Sequence, residues 1–194
     1  MFFYRADKTD LFQKDYTLVK AAVPILQEYL LSETLYWMIP FQGKQISLTP
    51  GQLLLATKRL PIETGVANEK EAVLQTINDL QRIRQHWLSA WQRKAKREWS
   101  ERTHRLAATL SESSQVLSPV TLNQVAFERC LITLLTQDVQ EDLTSAELNL
   151  LQGLDQLLKA KSEAGIFVWA DELKGEFPES DFWFLYRQPA SEKK

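Results

Sequence analysis

The sequence predicts a mainly α-helical protein, a helical bundle with one long central helix and a small β-hairpin-like element. Residues 68–110 contain neither Gly nor Pro and carry apolar side chains at helical spacing. Several short polar residues are followed three positions later by Glu or Gln, a pairing that satisfies free backbone donors at a helix start. Six Gly and seven Pro in 194 residues are too few for a loop-dominated chain.

The first part of the chain predicts a helix followed by a hairpin. A helix over about residues 10–31 should be kinked or divided at Pro24, because proline removes one backbone hydrogen bond and crowds the preceding turn. Residues 34–39 are rich in aromatic and β-favouring side chains and are closed by Pro40, which predicts a short strand. Residues 45–48 are its expected hairpin partner.

The hairpin should lead into a short helix and then into the long one. Thr49 and Gln52 match a capping box, and Pro50 suits the first helical position, where its missing N–H costs nothing. We expect this short helix to stop at Pro61. The long helix then covers about residues 68–112.

Two further helices are predicted in the second half of the chain. Ser118 precedes a helix over about 119–138 that is apolar nearly all round and should therefore be central. The single cysteine, Cys130, lies in this apolar run and is expected to be a buried core residue. Thr144 and Glu147 match a second capping box at the start of the last helix.

The C-terminal residues 165–189 are dense in aromatic side chains and partly resemble strands. We expect them to form a cover across one end of the bundle. If they were exposed instead, they would form a partner-binding surface. No linker divides the sequence, so residues 1–194 are interpreted as a single helical domain.

The long helix has an apolar face that carries Trp87, Trp91 and Trp99. We expect these indoles to be core residues packed against the apolar helix after Pro119. The alternative is a stacking platform for nucleobases or a pocket for a flat ligand.

The opposite face of the long helix is basic, and the region 82–105 is the one strongly basic part of the sequence. Its charges are either a solvated surface or a footprint for phosphate backbones or an acidic protein surface. The candidate polyanion-binding residues are Arg82, His86, Arg93, Lys94, Lys96, Arg97, His104 and Arg105.

Two arginines, Arg84 and Arg102, fall on the apolar face of the same helix. Each must pair with a carboxylate, extend to water or lie flat on an indole. Glu28, Glu33 and Glu128 are candidate carboxylates. The alternative is a cleft in which Arg84 and Arg102, with Trp87 and Trp91, hold a small anionic ligand.

Motifs for catalysis and cofactor binding are not found. There is no H-E-x-x-H, Walker loop, G-x-G-x-x-G or G-x-S-x-G. With two His and one Cys, a conventional zinc site within one chain is not expected, and neither is any other cofactor. The formal net charge of −2 excludes a polybasic protein as a whole.

The start of the sequence has no apolar signal-peptide region, and its most apolar stretch is too charged to span a bilayer. We therefore predict a non-catalytic cytoplasmic interaction or assembly protein without membrane contact. A protein partner is expected, or self-association as a homodimer along the long helix. The alternatives are nucleic-acid or polyanion binding through the basic face and a small anionic ligand near Arg84 and Arg102.

Overall fold

A computed structural model of the chain describes residues 8–63 and 67–190. The predicted mainly α-helical bundle class is confirmed. The chain folds into two compact units, Met1–Glu98 (unit 1) and Trp99–Lys194 (unit 2). The prediction of a single domain stays a prediction.

Unit 1 combines helices with one β-hairpin. Its core consists mainly of buried leucines and includes the large side chains of Tyr29 and Trp91. The elements are α1 (Lys8–Leu31), β1 (Trp37–Phe41), β2 (Lys44–Leu48), α2 (Pro50–Glu63), α3 (Ala67–His86) and the first part of α4 (Leu88–Glu112).

Both prolines that were expected to interrupt helices lie inside them. α1 continues through Pro24, whose side chain is exposed. The carbonyl that loses its bond there belongs to the exposed Lys20 and can be hydrated, so the cost is small. The prediction that α2 stops at Pro61 is wrong: the helix reaches Glu63, because only one backbone bond is lost near its end.

The predicted hairpin is present, and its first strand lies a few residues later in the sequence than predicted. β1 begins at Trp37 and includes Pro40, which was expected to close it. Pro40 faces Gln45 at a position where its missing N–H is not needed for the ladder. Gln42 and Gly43 form the two-residue turn with φ of 46° and 73°, which matches the positive φ values of a type I′ turn.

The expected uninterrupted helix is two helices, α3 and α4, that meet at Trp87. The break is local, because the Trp87 N–H still donates to the Ile83 carbonyl at 3.0 Å and the Trp91 N–H to the Trp87 carbonyl at 2.9 Å. Neither Gly nor Pro stands there.

Unit 2 continues from α4 into α5 (Pro119–Val139) and α6 (Ser145–Ala160). The predicted helix starts are confirmed: Ser118 caps α5, and Thr144 with Glu147 forms a capping box at α6. α5 is the central helix, and Cys130 is fully buried in it.

The aromatic C-terminal region belongs to unit 2, and several of its aromatic side chains are buried. The predicted cover across one end of the bundle stays a prediction. The region is less strand-like than predicted, because its aromatics lie mainly in short helical turns that direct side chains to the core. Its elements are β3 (Ser162–Ala164), α7 (Glu179–Phe182) and β4 (Arg187–Pro189), with 3₁₀ turns at Asp171–Leu173 and Trp183–Tyr186. β3 pairs with β4 antiparallel, and Phe177, Phe182, Phe184 and Tyr186 are buried.

Candidate functional site

The predicted basic face is present, with one member missing from it. Lys94 is buried, and Lys96 is half-exposed. The other six candidate residues are exposed: Arg82, His86, Arg93 and Arg97 in unit 1, and His104 and Arg105 in unit 2.

Lys94 closes the C-terminal end of α1. Its Nζ donates to the carbonyl oxygens of Tyr29 at 2.5 Å, Ser32 at 2.8 Å and Thr34 at 2.8 Å. An ammonium has three hydrogens, so each carbonyl receives one. The Nζ also lies 4.1 Å from the centroid of the Tyr29 ring. Lys94 is therefore a structural residue, and its place among the polyanion-binding candidates is corrected.

Burial lowers the pKa of the Lys94 amine, and the positive charge of Arg97 lowers it further, while the Glu33 carboxylate raises it. Arg97 itself is anchored in the same region, since its Nη1 donates to the Glu33 carbonyl at 2.8 Å. The part of the sequence just after α1 is thus held by two cations of α4.

One of the two acids in the basic region is also removed from the surface. Glu98 is fully buried and accepts hydrogen bonds from the Thr49 hydroxyl at 2.6 Å and the Gly51 N–H at 2.7 Å. A carboxylate at this position satisfies free donors at the N-terminal end of α2 and complements its dipole. Glu101, the other acid in the basic region, is exposed.

The two arginines predicted for a ligand cleft lie in different units, and each is engaged in its own unit. The Arg102 side chain is buried and donates to Glu128 at 2.6 Å, one of the carboxylates proposed as its partner. Arg105 contacts the same carboxylate at 3.4 Å. Arg84 lies on the Trp91 ring at 4.7 Å from its centroid. A small anionic ligand at these residues stays a prediction.

The three tryptophans of the long helical segment differ in exposure. Trp91 and Trp99 are buried, as expected for core residues. The Trp99 indole N–H donates to the Thr136 hydroxyl of α5 at 2.9 Å. Trp87 is half-exposed, and its ring meets the exposed His86 ring edge-on at 5.3 Å between centroids.

Trp87 borders an open groove between α1 and the end of α3. The groove holds about 360 Å³ beside Trp87 and Ile83, with Val23, Pro24 and Gln27 as its opposite wall. Arg82 and His86 also line it. We call this depression the α1–α3 groove. A second, shallow depression of about 570 Å³ shares Pro24 and Gln27 with it, and its other lining residues are Glu28, Leu31 and Ser32, so no residue of α3 contributes to it.

The helical period predicts Trp87 in the core and gives no sign of the α1 wall of the groove. Val23, Pro24 and Gln27 line the groove with Ile83 and Trp87, which are distant from them in sequence, so the groove requires the tertiary structure.

Known classes of site give no further assignment. Among residues 8–63 and 67–190, no group of three or more His, Cys, Asp or Glu could hold a metal ion. Within the same ranges, no helix combines the length and apolarity needed to cross a membrane. Comparison of the chain with protein-family models, with curated proteins and with solved structures gives no match.

Proposed function

We propose that the protein is a non-catalytic interaction or assembly protein that binds a protein partner through the α1–α3 groove. The observation that carries this proposal is the partly exposed Trp87, which lines an open groove together with the apolar Val23, Pro24 and Ile83. Tryptophan is enriched among the residues that dominate binding energy at protein interfaces. Trp91 and Trp99, by contrast, are buried in the core.

The buried charges support a non-catalytic role. Every buried charged side chain in the described part of the chain is bonded within the fold: Asp15 with Arg59, Lys94 with carbonyls, Glu98 with Thr49, Arg102 with Glu128, and Arg129 with Asp155. Catalytic side chains usually have a perturbed pKa, face a cavity and keep a hydrogen-bonding position free for the substrate. These groups instead close helix ends and pair elements.

A second candidate function is polyanion binding through the exposed cations of α3 and α4. The burial of Glu98 favours polyanion binding. Arg93 and Arg97 are exposed and four residues apart, and the buried Glu98 carboxylate does not stand beside them on the surface. Binding of this kind should be weak, should fall steeply with salt and should fail when both arginines become Glu. The predicted homodimer and cytoplasmic location stay predictions, and a second copy is one partner that the groove could take.

Site-specific photo-cross-linking in cells tests the groove directly. A photo-reactive amino acid replaces the exposed groove residue Gln27, and a matched probe replaces the exposed Gln124 of unit 2. We expect a discrete adduct from position 27 that is lost in Trp87→Ala and is absent from position 124. The mass of the adduct separates a second copy from another protein. Equal adducts at both positions, or none at position 27, would contradict the proposal.

A further inference from the structure

The helix α6 carries a second apolar stripe beside the one that it buries. The buried stripe consists of Leu151, Leu154 and Leu158. In the second stripe, leucines and small residues alternate at spacings of four, three, four and three: Ala146, Leu150, Gly153, Leu157 and Ala160. At about 100° per residue these five fall within about 80° of one another, so they share one face of the helix. We call these five residues the α6 seam.

The α6 seam is open to solvent. Ala146, Leu150, Gly153 and Ala160 are exposed, and Leu157 is half-exposed. The Leu150 residue is 42% exposed. Single exposed leucines are common on protein surfaces, but apolar residues at heptad spacing along the whole of one helix are typical of a face that packs against another helix.

Gly153 serves no purpose within its own chain. It stands in the middle of α6, where glycine weakens a helix relative to alanine. Its φ is not positive, so the backbone does not require glycine. No atom of another part of the described chain lies within 4 Å of the position that a Cβ would take. A close approach by a molecule outside the chain would account for the missing side chain.

The α6 seam is complementary to itself when two copies of α6 lie antiparallel. Leu150 then faces Gly153 of the second copy, and Leu157 faces Ala146 of the second copy. One register satisfies both pairs, because 150 and 153 are centred on the same point of the helix as 146 and 157. A parallel pair would place leucine against leucine and small residue against small residue, which leaves gaps in the packing.

The charges at the two ends of α6 favour the same orientation. The N-terminal end carries three acids: Glu141, Asp142 and Glu147. The C-terminal end carries Glu163 and three cations, since the Arg187 guanidinium reaches it and donates to the Lys159 carbonyl at 3.1 Å. Lys161 and Arg187 bond to backbone carbonyls, which are neutral and do not cancel their charges. Antiparallel copies bring each acidic end beside a basic end, whereas parallel copies place like charges together.

We infer that the α6 seam is a self-association surface through which two copies of this chain pair antiparallel. This goes beyond the proposed function, because the α6 seam and the α1–α3 groove belong to different units. A face of α6 about 24 Å long and about 10 Å wide covers roughly 240 Å² on each copy. Standard interfaces bury about 1,200–2,000 Å² in total, so the pair is weak and reversible. We expect a dissociation constant of roughly 10–100 μM.

Sedimentation equilibrium of the whole chain, over concentrations of about 10–500 μM, measures the pairing. Leu150→Ala should weaken it about tenfold or more by leaving a gap, and Gly153→Leu by overpacking, because each change occurs twice in the pair. The double variant Leu150→Ala/Gly153→Leu exchanges the large and the small position. It should restore the dissociation constant to within about threefold of that of the unaltered chain.

Chemical denaturation at low concentration separates pairing from folding. Gly153→Leu places a better helix former in the interior of α6, so it should raise the denaturation midpoint while it weakens the pairing. A misfolded variant would lower both. Gln152→Ala is the matched control, because Gln152 is exposed and lies on another face of α6. It should leave the dissociation constant within about twofold of that of the unaltered chain.

The other outcomes are distinct. A chain that stays monomeric up to about 500 μM would overturn the inference, and so would a dimer that ignores both single variants. Single variants that weaken pairing without rescue by the double variant would contradict the antiparallel register. A dimer that is lost in Trp87→Ala and kept in Gly153→Leu would place the second copy in the α1–α3 groove, against the α6 seam and in favour of the proposed function. The cross-link from position 27 tests the proposed function separately.

Discussion

The two units close their helix ends by the same means. In unit 1, the Lys94 amine binds the carbonyls at the end of α1. In unit 2, the Lys161 amine binds the carbonyls of Leu110 at 2.7 Å, Ser113 at 2.8 Å and Ser114 at 3.1 Å, at the end of α4. An ammonium in this position satisfies the free acceptors and complements the negative end of the helix dipole.

Each unit also contains a bidentate arginine–aspartate pair. Arg59 binds Asp15 through two hydrogen bonds of 2.7 Å, and Arg129 binds Asp155 through bonds of 2.7 and 2.9 Å. The side chain of Asp15 is 3% exposed and that of Asp155 is 20% exposed. The pair in unit 1 is therefore the drier of the two.

The units differ in the use of their aromatic residues. Unit 2 buries its aromatic cluster, in which Phe177 and Phe182 meet edge-on at 5.0 Å and the Tyr186 hydroxyl donates to the Phe177 carbonyl at 2.9 Å. Unit 1 leaves Trp87 partly exposed in a groove that Arg82 and His86 also line. A dense run of aromatics in the sequence thus marks a core, whereas the functional candidate is one aromatic residue at a helix junction.

The largest effects are expected at the buried ion pairs. Arg59→Met should lower the free energy of unfolding by about 3–5 kcal/mol, because it leaves the buried Asp15 carboxylate without its partner. Arg129→Met should cost less, since water reaches Asp155. Chemical denaturation measures both. The double variant Asp15→Leu/Arg59→Met should recover much of the loss, and equal losses in the two units would contradict the difference in burial.

The lysines that close the helix ends should come next. Lys94→Met removes the amine from three carbonyls and should cost about 1–3 kcal/mol, although the Tyr29 carbonyl keeps the bonds it accepts from Ser32. Lys161→Met should cost less, because Lys161 is half-exposed and water can replace its amine. The same denaturation experiment compares them. A Lys94→Met variant as stable as the unaltered chain would show that the amine is dispensable, and would return Lys94 to the surface candidates.

The helix starts could be predicted from sequence, because their signals are local. Ser118, Thr144 and Thr49 each accept a bond from a backbone N–H three residues on. The role of Lys94 could not be predicted, since even the nearest of its acceptors in sequence, Thr34, stands 60 residues away. Arg93 and Lys94 are neighbours with the same charge, and only tertiary contacts distinguish a binding candidate from a structural residue.

The candidate site could be predicted only in part, because the helical period is a local signal and tertiary contacts are not. The helical period placed Arg82, His86, Arg93 and Arg97 on one face, and all four are exposed. The same period placed Trp87 on the apolar face with Trp91 and Trp99. The period alone does not show where other elements stop covering that face.

Smaller effects are expected at the helix starts. Thr144→Ala should cost about 1 kcal/mol, since its capping box is exposed. Thr49→Ala should cost more, because the buried Thr49 hydroxyl also donates to Glu98. Urea denaturation of the two variants gives the comparison. A greater loss in Thr144→Ala than in Thr49→Ala would contradict the anchoring role assigned to Glu98.

The smallest effect is expected at Arg93. Arg93→Glu changes an exposed residue and should leave the free energy of unfolding within about 0.5 kcal/mol of the unaltered chain. Its neighbour Lys94 provides the contrast in the same measurement. Strong destabilisation by Arg93→Glu would mean that the Arg93 side chain is part of the fold and not of a free surface.

Amide hydrogen exchange of the full-length chain, with and without the protein identified by the cross-link from position 27, tests the central claim most directly. If the α1–α3 groove carries the binding surface and the aromatic region of unit 2 does not, protection should appear over residues 23–27 and 82–87 and be absent from residues 165–189. Protection confined to unit 2, or spread evenly along the chain, would contradict the assignment of binding to the α1–α3 groove.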